Sequence, residues 1–394
     1  MIPRRILYLT HYAELYGANR SLLDLLVAAK NTGAVEPFVV LAADGPLCAE
    51  LERADIAHAV VPFVPWMHKR VYSGGAHHRL VQRMRFRRQA RERDRVNNGL
   101  LPAIVDLGRK HGAQAIHTNS AVIGLGGPVA RALGVPHIWH IRELPFLHYG
   151  FSVDGGMRRY ARELRQAQAV LAISQAVVDD MRAFTRGIGN VHLVPAGVIT
   201  TARWQLLGGK AVAPTPEAGF HFLLAALFHA SKGQAEAVEA FAEVYRMHPQ
   251  VRLCLAGGGR SDDLRALVRR LGLEAVVRFP GFVDDIIPLM TRSHVLLQCS
   301  RHEALGRVTL EAMACGLPVI GHASGATPEL MEDEVTGSLY DRPERLVQHM
   351  VRLVQDEPLR VRMGEAGRAR IPGHYTVEAM LERTLARYES VLNG

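Results

Sequence analysis

The sequence predicts an α/β protein built as two doubly wound domains, and three observations carry that prediction. Short apolar runs alternate with helical patterns along almost the whole chain, and repeated strand–helix units imply parallel sheets covered by helices on both faces. The runs are too numerous for one comfortable sheet. A stretch at 195–217, rich in Gly, Pro and Ala and without a clear period, interrupts them and reads as a linker. A chain of 394 residues has room for two cores.

The strands are expected at 5–10, 37–41, 58–61, 115–118, 137–141, 169–173 and 191–194 in the first half. In the second half they are expected at 221–226, 252–256, 276–279, 295–298, 318–321 and 337–340. A last helical pattern, 377–392, has no strand after it. With 48% hydrophobic and 22% charged residues the composition is that of a globular protein, which excludes a disordered chain. No apolar run reaches the roughly 18 residues of a membrane span. The N-terminal apolar run is broken by His11 and Glu14, so it reads as a first strand and not a signal peptide. Cys48, Cys254, Cys299 and Cys315 are scattered without a C-x-x-C pair. Cys254 and Cys299 fall in apolar strand patterns and read as buried thiols, which suits a reducing cytoplasm.

The densest chemistry lies at 300–317, S-R-H-E-A-L-G-R-V-T-L-E-A-M-A-C-G-L. Glu303 and Glu311 stand eight residues apart, with Gly306 and Arg307 between them and a helical pattern following. A glycine lets backbone approach a ligand closely. A helix start offers free N–H groups and partial positive charge to phosphate oxygens. Arg307 adds a fixed fork of donors, and carboxylates are good acceptors for sugar hydroxyls. Gly316, then Pro318, would end this helix. Glu303 follows the 295–298 strand, at the strand end where open α/β sheets bind ligands.

In the setting H-E-A-L-G-R-V-T-L-E-A-M-A-C-G-L-P-V-I this E-x7-E spacing resembles the donor-site signature of the retaining glycosyltransferases of family 4, which have the GT-B fold. The resemblance implies two Rossmann-like doubly wound domains facing a central cleft. Residues 1–200 would form the acceptor-binding domain and 201–375 the donor-binding domain, with a helix at 376–394 crossing back to the first. It further implies that Glu303 binds hydroxyls of the donor sugar and Glu311 accepts from the ribose. Leu305, Gly306 and Arg307 would offer donors to sugar and phosphates.

Lys232, in A-S-K-G-Q after the 221–226 strand, suits phosphate binding beside a helix start. It looks like the family's K-G phosphate contact. Many relatives carry G-R five or six residues earlier, where this chain has Ala226 and Leu227. One phosphate-binding arginine is therefore missing, and Arg307 is the candidate to replace it. In the first strand–helix turn Gly17, Ala18 and Asn19 are small residues that let backbone reach a diphosphate, while Arg20 and Ser21 read as helix surface. The pattern is not G-x-G-x-x-G, so no dinucleotide cofactor is expected. H-I-R-E at 140–143 resembles the family's cleft histidine: His140 would lie near the donor sugar and help position it. Arg142 and Glu143 would form a supporting pair or touch the acceptor, with Asn119 and Ser120 also facing the cleft. Ser174 reads as an N-cap.

Gly257–Gly259 read as a tight turn, because Asp262 and Asp263 next to them would repel phosphate. Phe279–Phe282 would lie by the nucleotide base. No D-x-D, no H-E-x-x-H and no Cys/His cluster is present, so no metal is expected. His77 and His78 read as a polar loop. Lysine, arginine and helix dipoles can stabilise a leaving diphosphate without a divalent ion.

Charge is uneven: residues 1–200 carry a net +10 and the remainder −1, with +8 concentrated at 69–95. At 77–98, Leu80, Val81, Met84, Phe86 and Val96 are interleaved with arginines. As a helix this has one modest apolar strip on a large cationic surface. A solvated helix, an anionic membrane surface and nucleic acid are the three readings, and no recognition motif accompanies the last.

The chain is thus expected to be a retaining, metal-independent hexosyltransferase without a cofactor. It would move a sugar from a nucleotide-diphosphate sugar to a hydroxyl of a glycan or lipid-linked acceptor, in cell-envelope polysaccharide or glycolipid synthesis. Its expected place is the cytoplasm, peripheral on the inner membrane face if the basic stretch docks there. The alternatives are a non-catalytic nucleotide-sugar-binding module and a glycan hydrolase using Glu303 and Glu311 as its acid/base pair.

Overall fold

A computed structural model describes residues 2–185, 187–208 and 219–393. The chain divides into two compact units, Met1–Gly197 with Val377–Gly394, and Val198–Thr376.

The first unit holds strands β1 (Arg4–Thr10), β2 (Val35–Leu41), β3 (Ala57–Val60), β4 (Met67–Lys69), β5 (Ala115–Thr118), β6 (His137–Ile141), β7 (Phe151–Val153), β8 (Ala169–Ala172) and β9 (Val191–Leu193). Its helices are α1 (Gly17–Asn31), α2 (Pro46–Arg53), α3 (Ala76–His111), α4 (Gly126–Leu133), α5 (Met157–Gln166) and α6 (Gln175–Phe184). Seven strands form a sheet in the order β3-β2-β1-β5-β6-β8-β9, with parallel pairing throughout. Ile6–Leu9, Ile116 and Ile138 are wholly buried, as strands covered on both faces must be. The strand order reverses between β1 and β5, which opens a crevice at their C-terminal ends. The C-terminal helix α15 (Val377–Leu392) packs on this unit, burying Tyr388 against Tyr8 and pairing Glu389 with Arg4 at 3.0 Å.

The second unit opens with α7 (Thr201–Leu206) and contains β10 (Phe220–Ala225), β11 (Val251–Ala256), β12 (Val277–Gly281), β13 (Val295–Gln298), β14 (Val319–His322) and β15 (Gly337–Tyr340). Its other helices are α8 (Gln234–Met247), α9 (Asp262–Arg270), α10 (Ile287–Met290), α11 (Arg307–Ala314), α12 (Thr327–Leu330), α13 (Pro343–Gln355) and α14 (Glu357–Ala369). The sheet order is β12-β11-β10-β13-β14-β15, again parallel, with the reversal between β10 and β13. Phe222, Phe241, Leu253 and Leu297 anchor its core. Both units are therefore Rossmann-like, doubly wound α/β domains.

Several expectations need correction. The 195–217 stretch is not simply a linker: α7 forms inside it. The Trp204 carbonyl accepts from Arg368 at 2.6 Å, and the guanidinium lies 4.4 Å from the Trp204 ring centre. Residues 209–217 lie outside the described residues. An antiparallel ribbon, β4 with β7, joins the first unit; its three-residue strands are too short to show alternation. Ser21 is buried, not surface, His77 and His78 are helical, and Cys254 is half-buried while the other three free thiols are buried.

The basic stretch is the front of α3, a helix of 36 residues closed by Gly112 in the left-handed region at φ 67°. Its rear half buries Ile104, Val105 and Gly108. Asn97 holds the Val64 backbone through both amide atoms, at 2.9 Å each. Arg93 is structural too, bound to the buried Asp154 at 2.7 and 2.9 Å. Further forward, Leu80, Val81 and Met84 are 56, 51 and 63% exposed. Phe86 leaves the expected strip, lying half-buried with its ring 5.4 Å from that of Tyr72. No helix among the described residues is long and apolar enough to cross a membrane.

Candidate active site

In the second unit the reversal between β10 and β13 brings two loops together. After β10 the chain turns through a short 3-10 helix, Ala230–Lys232, closed by Gly233 at φ +69°. A Cβ on Gly233 would lie 2.2 Å from the Cys299 carbonyl oxygen, so only glycine lets this turn press against the end of β13. Lys232 thereby meets Glu303: its Nζ donates to Glu303 Oε1, and both side chains are mostly shielded. Arg307 Nη2 lies 3.5 Å from Glu311 Oε1, one turn along α11. Glu303, Leu305, Gly306, Arg307, Glu311 and Lys232 are thus gathered around one strand end and one helix start.

Backbone geometry holds this arrangement. His302 sits at φ +58°, a region that costs a non-glycine residue about 1–2 kcal/mol and that recurs at functional sites. Its N–H donates to Ser324 Oγ at 3.0 Å, and the Glu303 carbonyl accepts from Ala326 N at 2.8 Å. Gly306, at φ +89°, precedes α11, and no side chain caps the helix start. Ser300 Oγ and Thr309 Oγ1 are buried beside it without a hydrogen-bond partner among the described residues. Sequence reading passed over these two hydroxyls and the strained His302; a hydroxyl on each side of the glycine was the available signal. Leu227, where relatives carry arginine, is 37% exposed. Gly257 N–H donates to Gly281 O at 2.8 Å, which extends the pairing of β11 with β12.

In the first unit the reversal lies between β1 and β5. Gly17 and Ala18 open α1, whose start has no side-chain cap. Asn19 does not face a ligand: its Oδ1 accepts from Thr10 Oγ1 at 2.7 Å and its Nδ2 donates to the Tyr12 and Glu14 carbonyls at 2.8 and 2.9 Å. It pins the turn that presents Gly17. His140, on β6, is wholly buried. Arg142 Nε donates to Asn119 Oδ1. Glu143 accepts from Ser120 Oγ, from Ala121 N at 2.7 Å and from Arg142 N at 3.0 Å. Arg142 and Glu143 are therefore joined through backbone, with Asn119 and Ser120 as side-chain partners. Ser174 caps α6, accepting from Val177 N at 3.2 Å.

Burial decides the protonation states here. It pushes His140 and His117 well below the ordinary imidazole value, helped by the Arg142 guanidinium. Both rings are neutral at pH 7. Burial raises Glu143, and its hydrogen bonds to Ser120, Ala121 and Arg142 oppose the rise. Among the described residues no group of three or more His, Cys, Asp or Glu is placed to hold a metal.

Residues 16–197 match the family described as "Glycosyl transferase 4-like domain", and 211–370 match "Glycosyl transferases group 1". Together the two matches support a glycosyltransferase of the 4-like and group 1 type. N-acetyl-alpha-D-glucosaminyl L-malate synthase of Bacillus anthracis is 30% identical over 42% of this chain and 44% of its own length. The chain thus spans less than half the length of that curated relative. Alpha-maltose-1-phosphate synthase of Mycolicibacterium smegmatis is 28% identical over 75% of this chain and 84% of its own. The Anabaena protein HepE, solved with UDP and glucose, superposes with a TM-score of 0.77 at 22% identity, covering 98% of this chain and all of that one. That likeness shows the GT-B fold.

Proposed function

We propose that the protein is a retaining glycosyltransferase. It transfers a sugar from a nucleotide-diphosphate sugar to a hydroxyl of a glycan or lipid-linked acceptor, in cell-envelope polysaccharide or glycolipid synthesis. The observation that carries this is the Lys232–Glu303 and Arg307–Glu311 cluster at the start of α11. A donor diphosphate takes the two cations and the positive end of α11, which no side chain caps. Its sugar and ribose hydroxyls take the carboxylates, Glu303 and Glu311 respectively. Arg307 does for the phosphates what an arginine in place of Leu227 would do, and Leu305 and Gly306 offer backbone donors.

The acceptor is assigned to the first unit, with Asn119, Arg142 and Glu143 lining its site. Gly17 and Ala18 stand at the uncapped α1 start, and His140, wholly buried, is assigned to positioning the donor sugar. In the transfer the bond from the anomeric carbon to the phosphate oxygen breaks and the bond to the acceptor oxygen forms on the same face. The leaving phosphate oxygen takes the acceptor proton, so no protein nucleophile is required. Lys232 and Arg307 stabilise the developing negative charge, so a chelator leaves the rate unchanged. Both glutamates face a cation, whereas a glycosidase acid needs surroundings that keep it protonated; this counts against the hydrolase reading.

The front of α3 is proposed to rest on an anionic membrane surface. Arg87, Arg88 and Arg91 follow Met84 at three, four and seven residues, which puts them on the outward face with Leu80 and Met84. Each basic residue near such a surface contributes about 1 kcal/mol.

A screen of UDP-, GDP- and ADP-sugars for thermal stabilisation, followed by NMR of the product anomer, tests the main reading. Retention is expected; clean inversion, or free sugar as the main product with acceptor present, overturns it.

A further inference from the structure

Behind His140 runs a buried chain of hydrogen bonds that the proposed transfer does not use. Tyr8 Oη lies 2.9 Å from Tyr388 Oη, and Tyr388 Oη lies 2.7 Å from His117 Nδ1. The three side chains are 0, 1 and 0% exposed. Tyr8 and His117 are paired across β1 and β5 and share one face of the sheet, while Tyr388 comes down on them from α15. The His117 ring then packs against that of His140, centroids 5.5 Å apart at 49°.

Proton counting gives the chain a direction. Each phenol has one proton and the imidazole accepts through one nitrogen only. If the bonds run from Tyr8 to Tyr388 to His117, both phenolic protons are used. In the opposite sense the Tyr8 proton has no acceptor and the Nε2 lone pair has no donor, two unsatisfied buried groups against the single Nε2–H left by the first sense, and each such group is costly. His117 Nδ1 is therefore the acceptor, and its proton sits on Nε2. That nitrogen has no hydrogen-bond partner among the described residues, and neither nitrogen of His140 has one. The Val194 backbone also lies against the His140 ring and favours its charged form. His140 thus lies between the His117 ring and the Val194 backbone, and the His117 ring is held in turn by Tyr388.

We propose that Tyr388, acting through His117, is a positioning residue for His140, so that the C-terminal helix takes part in orienting the site imidazole. A chain of phenols does this without placing a second charge beside Arg142, as a carboxylate would. The proposal rests on the reading that His140 positions the donor sugar, and its test separates the two claims.

Long-range proton–nitrogen NMR of the full chain labelled with nitrogen-15 histidine reads the tautomers directly. The wild type should show His117 as a single Nε2–H tautomer; an Nδ1–H tautomer reverses the chain and overturns the proposal without any variant. In Tyr388→Phe the His117 and His140 ring signals should both move. With the UDP-, GDP- or ADP-sugar selected in the screen, its kcat should fall about tenfold, as for a misoriented group, with donor KM unchanged within about twofold. Tyr8→Phe keeps the Tyr388–His117 bond and should retain most turnover. Wild-type turnover in Tyr388→Phe, while His140→Ala is impaired, overturns the positioning role alone. Full turnover in His140→Ala overturns the reading of the site beneath it.

Discussion

The two units share a topology but load their switch points oppositely. In the second unit the crevice between β10 and β13 holds charges paired with one another, Lys232 with Glu303 and Arg307 with Glu311. In the first, the end of β5 and β6 holds buried His117, Asn119 and His140 beside one guanidinium, Arg142, and one carboxylate, Glu143, held by Ser120 and backbone N–H groups. Partly shielded ion pairs can be exchanged for a polyanion with little change in the number of charge contacts, which suits a diphosphate. Buried neutral imidazoles and amides cannot hold a polyanion well, but they discriminate hydroxyls, since leaving them unpaired is costly. On the proposed function, one fold would serve two tasks by the residues placed at one topological position.

Breaking an ion pair in the second unit should have the largest effect. Lys232→Ala leaves Glu303 beside the site without its cation and removes a cation from the leaving diphosphate. We expect kcat/KM to drop by about 10²–10³, as when a preorganised charge contact is removed. Nucleoside diphosphate affinity, measured by calorimetry, should fall as well. Arg307→Ala should act in the same direction and less strongly. If Arg307→Ala keeps full donor affinity and activity, the compensation for Leu227 is wrong and the charged site is smaller than drawn.

The first unit should respond differently. His140→Ala is expected to lower kcat by about 10² while nucleoside diphosphate affinity stays within about twofold. Equal losses in both would erase the distinction between the units. The same histidines also set the response to acid. Burial lowers His137 to about 3 from an ordinary 6.5 and depresses His117 and His140 likewise. The folded state holds these rings neutral, so the unfolded chain binds more protons below pH 6.5. Their contribution to stability is complete above that pH and is lost as pH falls toward the folded values. Each costs about 1 kcal/mol per pH unit in that window. Calorimetry at pH 7.5 and 5.5 should show the transition assigned to the first unit dropping by several degrees. His137→Gln should flatten that slope; an unchanged slope would remove His137 from the account.

Much of this was legible in sequence, for physical reasons. All thirteen strands of the two large sheets fall where apolar runs predict them, within one or two residues at their ends, because buried parallel strands must be apolar on both faces. The β4–β7 ribbon was not legible, since Met67–Lys69 and Phe151–Val153 are too short to show a period. Nor was α7, hidden in a composition that suits a linker. Lys232 and Glu303 were each named, but their mutual pairing depends on a Gly233–Cys299 approach that only coordinates reveal. The Tyr8–Tyr388 bond joins residues 380 apart, beyond any local pattern. Asn19 was read as a small residue near a ligand, whereas its amide has a structural task that three hydrogen bonds define.

The smallest effect on chemistry belongs to α3, and it sharpens the comparison from outside both sites. Its front is cationic with Leu80 and Met84 on the outward face, while its rear is fixed by Asn97 and Arg93. Replacing Arg87, Arg88 and Arg91 by glutamate leaves every anchoring contact of the rear half in place, so folding and turnover on a water-soluble acceptor should stay near wild type. Flotation with vesicles containing anionic lipid should show binding by the wild type, its loss in the triple variant, and weakening as salt is raised. Leu80→Ser with Met84→Ser should weaken binding less, and with little salt dependence, because it removes buried apolar area and no charge. Failure of the wild type to float with anionic vesicles would leave the helix a solvated one. The positive balance of the first unit would then have no part in bringing it to an acceptor.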